Sequence, residues 1–574
     1  MAEIALPQTG GRTRRLFELR TVLFTVVLLA TLFLVLYPVI LIVFYSFSSA
    51  ETGADFVFGL DSWQRALREP AMWGTIVNTV KLLLAISCIS FPVAVMISWV
   101  LARTDIPWRN GLEFMFWISF FLPSLSVTLG WIMCLDPEYG LMNKLALMLP
   151  FVEEGPFNIY SFWGIVWAHL GANAIAVKVM LLTPTFRNID ASLEEASRVA
   201  GAGRLSTLAR IVVPAMMPAL IAILLMAMIR AMQSFEIEMV LGPSFQFYVY
   251  STKVYALVAQ EPPDFGTASA LATMGLAAIL PLIFAQRWLG TRRQYTTITG
   301  KLQTQPVRLG RWRIPVFLAV LTVVLLLTIV PLIFVGLAST MKLFGFFNIP
   351  DPYTLEHWIT VLNDETFTQS IVNTLVMAGG AGIFSVVLFS LIAYFTVRTQ
   401  FRARALLDFV SWLPFAVPGI LFGVGLLFVF LESPLFRPIY GTMWLLIIAT
   451  VVSSMTLGTQ IIKSNMMQLG HELEEASRVT GATWWRTFTR VVLPILVPVL
   501  LLVGVMNFIS AARDIASVAL VATAETKTLA LLQLDYMVEG RYETAAVASF
   551  VVIILSTGIA LLARALGLRV GIKT

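Results

Sequence analysis

The sequence predicts an all-α membrane protein of about twelve transmembrane helices, arranged as two parallel six-helix repeats. Three observations predict it. The 574-residue chain is 58% hydrophobic, with a mean hydropathy of +0.85 and only 13% charged residues, where soluble domains carry about 25%. Its apolar residues gather in windows near the roughly 20 residues an α-helix needs to cross a bilayer. One polar segment also occurs twice, 280 residues apart, first as Leu193-Glu194-Glu195-Ala196-Ser197-Arg198-Val199 and then as Leu473-Glu474-Glu475-Ala476-Ser477-Arg478-Val479.

The apolar windows lie near 21–47, 76–102, 112–135, 158–183, 207–232 and 268–287, then near 314–338, 372–397, 407–431, 439–462, 490–512 and 544–566. Residues 1–20 precede the first window and carry Arg12, Arg14, Arg15 and Arg20. A secretory signal has an apolar region of about 7–15 residues. The stretch from Thr21 to Phe47 is longer, so it reads as an uncleaved first span. Residues 21–287 form the first six-span domain and 314–574 the second. Between them, 288–313 is a basic linker with Arg292, Arg293, Lys301, Arg308, Arg311 and Arg313 and no acid. Beside a membrane such a run reads as a topology anchor near anionic lipid, not as a nucleic-acid site.

Lys and Arg accumulate on the cytoplasmic face of membrane proteins. Most of the 39 basic residues fall in the N-terminus, the even connections and the C-terminus, which places both termini in the cytoplasm. The opposite connections are comparatively acidic, with Glu153-Glu154, Glu236, Glu238 and Asp364-Glu365. The two cysteines, Cys88 and Cys134, sit in apolar runs and read as small buried side chains, not as a disulfide framework.

The repeat extends beyond the polar segment. Trp63 and Trp358, Ile76-Val77-Asn78-Thr79 and Ile371-Val372-Asn373-Thr374, and Arg103-Thr104 and Arg398-Thr399 are each 295 positions apart. Leu122-Pro123 and Leu413-Pro414 differ by 291, so the first half holds about 15 extra residues before its polar segment, mostly near Asp136–Gly155. Six spans per half give both halves the same orientation. The expectation is a pseudo-twofold along the membrane normal, with a pathway at the interface of the halves.

Both polar segments fall in connections assigned to the cytoplasm. Ser192 with Glu195 fits a capping box opening a short helix. Glu194 and Arg198 can pair at i,i+4 on its exposed side, with Leu193, Ala196 and Ala200 on another face. Gly201 offers a left-handed stop. The second copy keeps Glu474, Arg478 and Gly481 but has Glu472 at the cap position, so its N-terminus is expected to be capped by a backbone group. Pro214 and Pro218, and Pro494 and Pro498, follow in register.

The pattern Glu-Glu-Ala, a few residues, Gly, then about a dozen residues to an apolar-Pro pair resembles the EAA loop of bacterial ABC-importer permeases. The resemblance covers about residues 20–570. It implies the type I importer permease fold in the inner membrane, with each loop forming a coupling helix that docks on a cytoplasmic ATPase. On that resemblance Glu194, Glu195, Ala196 and Gly201 carry one contact, and Glu474, Glu475, Ala476 and Gly481 the other. The chain has no G-x-x-x-x-G-K-[ST] phosphate cradle; Gly300-Lys301 lacks the upstream glycine and the following hydroxyl. ATP and Mg would be used by separate ATPase subunits, most economically a homodimer. A periplasmic or lipid-anchored binding protein would deliver the solute. The chain itself is expected to hold no cofactor or metal, and to be a permease and not an enzyme.

The fused architecture resembles the ferric-iron importer branch, through Asp264-Phe265-Gly266-Thr267-Ala268-Ser269-Ala270, Tyr295–Lys301 and Trp412–Gly419. Relatives of that branch handle polyamines, thiamine and aminoethylphosphonate, and these stay open beside iron. Within the spans no cluster of Tyr, His or carboxylate suggests stored metal. The competing class is an ion-coupled secondary transporter, which explains twelve spans but leaves the repeated polar segment idle. A membrane enzyme would need a reactive cluster, and His169, His357 and His471 are widely separated.

Ionisable groups at membrane depth are few. Lys81, Lys178 and Arg230 read as snorkelling toward span ends. His169, Asn78 and Asn373 read as interhelical hydrogen-bonding groups. Gln233-Ser234 and Arg513-Asp514 occupy matching positions after the fifth and eleventh spans, and are the pathway candidates.

Overall fold

The computed structural model describes residues 10–49, 56–187, 196–197, 199–292 and 306–565. Among them it holds 9 helices long and apolar enough to cross a membrane, and up to 12 if each of three bent helix pairs counts as one span. These are α1 Leu19–Tyr45, α2 Ala71–Arg103, the pair α3 Arg109–Phe121 and α4 Ser124–Leu135, and the pair α5 Phe162–Ala174 and α6 Ala176–Arg187. α7 Val213–Met232, the short α8 Tyr250–Ala259 and α9 Phe265–Gln286 complete the first half. The second half has α10 Gly310–Ala338, α11 Glu365–Arg398, the pair α12 Arg404–Phe415 and α13 Gly419–Glu432, and α14 Met443–Met467. Then come α15 Glu472–Val479, α16 Leu493–Ala512, the short α17 Leu529–Val538 and α18 Tyr542–Ala565.

Proline places the irregularities. The windows near 112–135 and 407–431 each read as one span, yet both break sharply, by 100° at α3/α4 and 114° at α12/α13. A proline lacks the N–H a helix needs and pushes the preceding residue into extended backbone. Leu122 and Pro123 are accordingly extended (ψ 133° for both), and so is Pro418 (ψ 143°) before α13. A gentler solution recurs at Pro38, Pro214 and Pro494. Each is preceded by a five-residue π turn, at Leu32–Leu36, Leu208–Val212 and Phe488–Val492. The proline at position i cannot bond the carbonyl at i−4, and the wider turn makes room for its ring. The last two lie 280 residues apart, so the repeat is kept at the level of backbone bending.

The chain packs as two compact units. One comprises Met1–Ile42, Asn373–Thr526 and Ile559–Thr574. In it α1 lies against the second half of the sequence. Phe24 stacks on Phe401 with ring centroids 4.3 Å apart and meets Phe395 edge-on at 5.4 Å. The backbone of Pro38 sits so close to Gly425 that a Cβ there would lie 2.8 Å from the Pro38 carbonyl oxygen. Between α11 and α16, a Cβ on Gly382 would lie 3.1 Å from the Gly504 carbonyl oxygen. Small residues let helix backbones approach this closely where lipid provides no hydrophobic drive.

The other unit comprises Val43–Val372 and Lys527–Gly558. Here α10, the first span of the second half, lies on α3 and α4 of the first half. A Cβ on Gly130 would lie 2.6 Å from the Pro331 carbonyl oxygen. Gly130 and Gly425, and Pro331 and Pro38, are near-equivalent positions of the repeat. In each unit the first span of one sequence half therefore packs on the broken third span of the other, glycine against proline. The stretch where the first half is longer forms a turn at Asp136 and a short helix, Leu141–Ala146. Asn143 ties it down, its Nδ2 donating to the carbonyls of Asp136 (2.9 Å) and Phe157 (2.7 Å).

The repeated Asn-Thr pairs hold the segments that follow the fifth and eleventh spans. Asn78 Nδ2 donates to the Tyr248 carbonyl at 3.2 Å, and Asn373 Nδ2 to the Glu525 carbonyl at 2.8 Å. Thr79 Oγ1 accepts from the Tyr250 backbone at 3.1 Å. Interhelical bonds are expected of both asparagines from the sequence; each instead bonds a carbonyl of the loop that precedes a short helix.

Candidate functional site

The second polar segment folds as α15 and ends as its glycine predicts. Gly481 has φ +81° and Gly201 +82°, with nothing within 4 Å of an added Cβ at either. The requirement is conformational and not one of space. Ala482 N donates back to Ser477 O at 3.1 Å, and Ala202 N to Ser197 O at 3.0 Å. These are the 6→1 bonds of a Schellman stop. At the other end the His471 carbonyl accepts from both Glu474 N and Glu475 N at 3.1 Å, so a backbone oxygen does take the place of the missing cap serine.

The two acidic residues of the second motif face opposite ways. Glu474 is buried, with Arg398 Nε 3.2 Å from its Oε1, and Tyr394 Oη donates to its Oε2 at 3.3 Å. Trp484 Nε1 in turn donates to Tyr394 Oη at 2.9 Å. Arg398 also donates to the carbonyls of Met466 (3.0 Å) and Leu469 (2.6 Å) and to His471 Nδ1 (2.9 Å). Arg478 approaches Glu474 Oε2 at 3.8 Å. The expected i,i+4 pair is present, with Arg478 exposed and only its Glu474 end buried, because Arg398 draws the carboxylate inward. Leu473, Glu475, Ala476 and Val479 are exposed instead, with Val479 at 87%.

In the first motif Glu194, Glu195 and Arg198 lie outside the described residues. Ala196, Val199 and Ala200 are exposed, Val199 at 90%. Ala196 and Ala200 thus do not supply a buried face. Two contacts repeat between the halves. Ser197 Oγ and Thr207 Oγ1 are 2.8 Å apart, as Ser477 Oγ and Thr487 Oγ1 are 2.9 Å apart. Arg103 Nε donates to the Phe186 carbonyl at 2.8 Å, the position matching Met466. Each arginine thus caps orphan carbonyls at the end of a span, where a cation also meets the negative helix terminus. Sequence reasoning noted the matched arginines without seeing this role; their position at equivalent span ends was the available signal.

The pathway candidates close the fifth and eleventh spans, where Gln233 and Arg513 stand at the C-caps of α7 and α16. Ser234 Oγ donates to Glu238 at 2.6 Å, and His169 Nε2 lies 2.7 Å from Glu238 Oε1. Glu238 is 1% exposed. Ser251 donates to the Ser234 carbonyl, and Ser124 to Glu236. In the other half Asp514 accepts from Ser517 N (3.1 Å) and Ser517 Oγ (2.6 Å). Ala449 and Val518 occupy the places of His169 and Glu238, so the charged cluster belongs to the first half alone. Lys81 and Arg230 are exposed, as snorkelling requires. Lys178 is not: it is 4% exposed and its ammonium bonds the Ala174 carbonyl at 2.7 Å, because the neighbouring π turn at Leu170–Ala174 leaves that oxygen within reach.

Among the described residues the chain is helical with 9 to 12 candidate membrane spans, and each half carries an exposed polar motif ending on a left-handed glycine. Residues 94–295 and 386–572 both match the binding-protein-dependent transport system inner membrane component family, and the chain belongs to that family of inner-membrane ABC transporter permease subunits. Two relatives bear the name FbpB. One, from Haemophilus influenzae, is 30% identical over 64% of this chain and 58% of its own length. The other, a ferric transport system permease protein from Actinobacillus pleuropneumoniae, is 30% identical over 70% of this chain and 58% of its own. The chain thus spans under two thirds of either relative. The y4fN protein of Sinorhizobium fredii, whose name places it among ABC transporter permeases, is 26% identical over 87% of this chain and 88% of its own.

Proposed function

We propose that the protein is the permease of an ATP-driven importer that carries ferric iron delivered by a periplasmic or lipid-anchored binding protein. The observation that carries this reading is the pair of matched polar segments, each with a left-handed glycine stop and an exposed valine at its tip. A segment built twice in the same way suits a partner that binds twice, such as a homodimeric ATPase using ATP and Mg. Both termini lie in the cytoplasm in this reading, on the basic side of the membrane, with the linker 288–313 near anionic lipid.

Each motif would pass the ATPase movement into its own membrane unit through buried contacts. In the second half these are Glu474–Arg398 and Ser477–Thr487. Gln233 and Ser234, and Arg513 and Asp514, would mark where the pathway opens on the far side. Iron as cargo is supported by the name of the Actinobacillus relative.

The test is ATP-dependent uptake into proteoliposomes holding this chain and the ATPase encoded beside it. The neighbouring binding protein is loaded with radioactive ferric iron. Uptake that needs all three proteins and ATP is the expected result. Uptake of another loaded solute alone would keep the importer and discard iron. Uptake driven by an ion gradient without the ATPase would establish a secondary transporter instead.

A further inference from the structure

Three phenols and a buried carboxylate converge in the unit formed by Val43–Val372 and Lys527–Gly558. Tyr160 Oη and Tyr542 Oη are 3.4 Å apart, and burial together with the nearby Asp136 carboxylate pushes the Tyr139 phenol up. Asp136 is 2% exposed, and its Oδ1 accepts from the backbone of Glu138 (2.8 Å) and Tyr139 (3.1 Å). The three tyrosines are half-buried. Tyr139 is wedged over Gly345, where an added Cβ would lie 2.6 Å from its Cδ2. Phe344 meets both Tyr139 (5.9 Å) and Tyr542 (5.0 Å) and fixes their planes. Asp136 and Tyr139 come from the stretch where the first half outruns the second, so the cluster is not a scaffold feature of the repeat.

We infer that Tyr139, Tyr160, Tyr542 and Asp136 form a transient acceptor site for a trivalent hard cation, ferric iron, at the delivery side of the permease. This rests on the importer reading for its biological sense, but not for its chemistry. Hard cations take oxygen ligands, and two oxygens each about 2 Å from one ion sit about 3 Å apart, close to the phenol spacing found. One carboxylate and two phenolates neutralise a charge of +3. Each phenolate–iron bond forms as a phenol O–H releases its proton to water, with no change of iron oxidation state. Lys144, whose ammonium bonds the Gly345 carbonyl at 2.6 Å, is attracted to Asp136 and keeps the empty carboxylate compensated. Its repulsion of a bound ion favours onward release.

The test is visible absorption of the purified chain in lipid nanodiscs during titration with ferric nitrilotriacetate. Phenolate bound to ferric iron gives a charge-transfer band that carboxylate or surface binding does not. The wild type develops the band. Tyr160→Phe with Tyr542→Phe, which keeps both rings and their packing, strongly diminishes it, Tyr139 being the one phenol left in the site, and gallium titration gives none. No band in the wild type, or an undiminished band in the double variant, overturns the site. Ferric uptake measured separately tells the two readings apart, because the band needs neither ATPase nor binding protein.

Discussion

Ser477 and Thr487 meet hydroxyl to hydroxyl at 2.9 Å, and 280 residues earlier Ser197 meets Thr207 at 2.8 Å. The contact ties each motif to the start of the next span. Ser197, Thr207 and Thr487 are buried, so neither hydroxyl of the first pair has ready access to water. Ser477→Ala leaves a buried Thr487 hydroxyl without this partner, a cost of about 1–3 kcal/mol. Amide exchange across 472–482 should accelerate in Ser477→Ala while α11 and α16 keep their protection. Unchanged exchange would mean that the serine is incidental.

The two glutamates of the second motif should separate stability from partner binding. Glu474→Ala leaves Arg398 buried without its carboxylate, and losing one partner of such a pair costs about 3–5 kcal/mol. The low end is expected, since Arg398 keeps its carbonyl and imidazole partners. Glu475→Lys touches an exposed residue and should leave the melting temperature unchanged while weakening ATPase association. Equal effects on stability would contradict the opposed orientations.

At the motif stops the strain is in the backbone. A side chain in the left-handed region costs about 1–2 kcal/mol, and β-branched residues are worst placed there. Gly201→Val and Gly481→Val should insert into the membrane normally and lose uptake. Gly481→Asn should be milder than Gly481→Val, because asparagine visits this region more readily. If substitutions ranked by volume alone, the open space around both glycines would be misread.

The paired asparagines predict a symmetric effect. Asn78→Ala and Asn373→Ala each remove one bond to a carbonyl of the segment before α8 or α17, worth about 0.5–1.5 kcal/mol. Each should loosen its own segment, read as increased protease nicking near 244–249 and 521–527. A variant that loosened neither would leave the repeated Asn-Thr pair without a structural role.

Spans, motif and glycine stops were legible because apolar length, repeat and positive φ are each local to a few residues. The opposed faces of Glu474 and Glu475 were not, since Arg398 lies 76 positions away in sequence and only folding brings it beneath the motif. Periodicity put the acidic residue outward and alanine inward; a buried guanidinium reversed that. The breaks at Pro123 and Pro418 could have been anticipated from the prolines, but an unbroken apolar window hid them. The packing of Pro38 against Gly425 and of Pro331 against Gly130 was beyond reach, because it joins first spans to the opposite half and leaves no trace in either half's pattern. Lys178 shows the same limit: its position suggested a span end, while the π turn beside it gave it a buried carbonyl.

If the two motifs are docking points for one kind of ATPase, both must touch it in the assembled complex. The most direct measurement places a photoreactive benzoylphenylalanine at Val199, at Val479 or at the exposed Leu435 as a control, and illuminates the complex with the ATPase in lipid. Cross-links to the ATPase from both valine positions and none from Leu435 are predicted. Cross-linking from neither valine, in a complex that still hydrolyses ATP, would contradict the account.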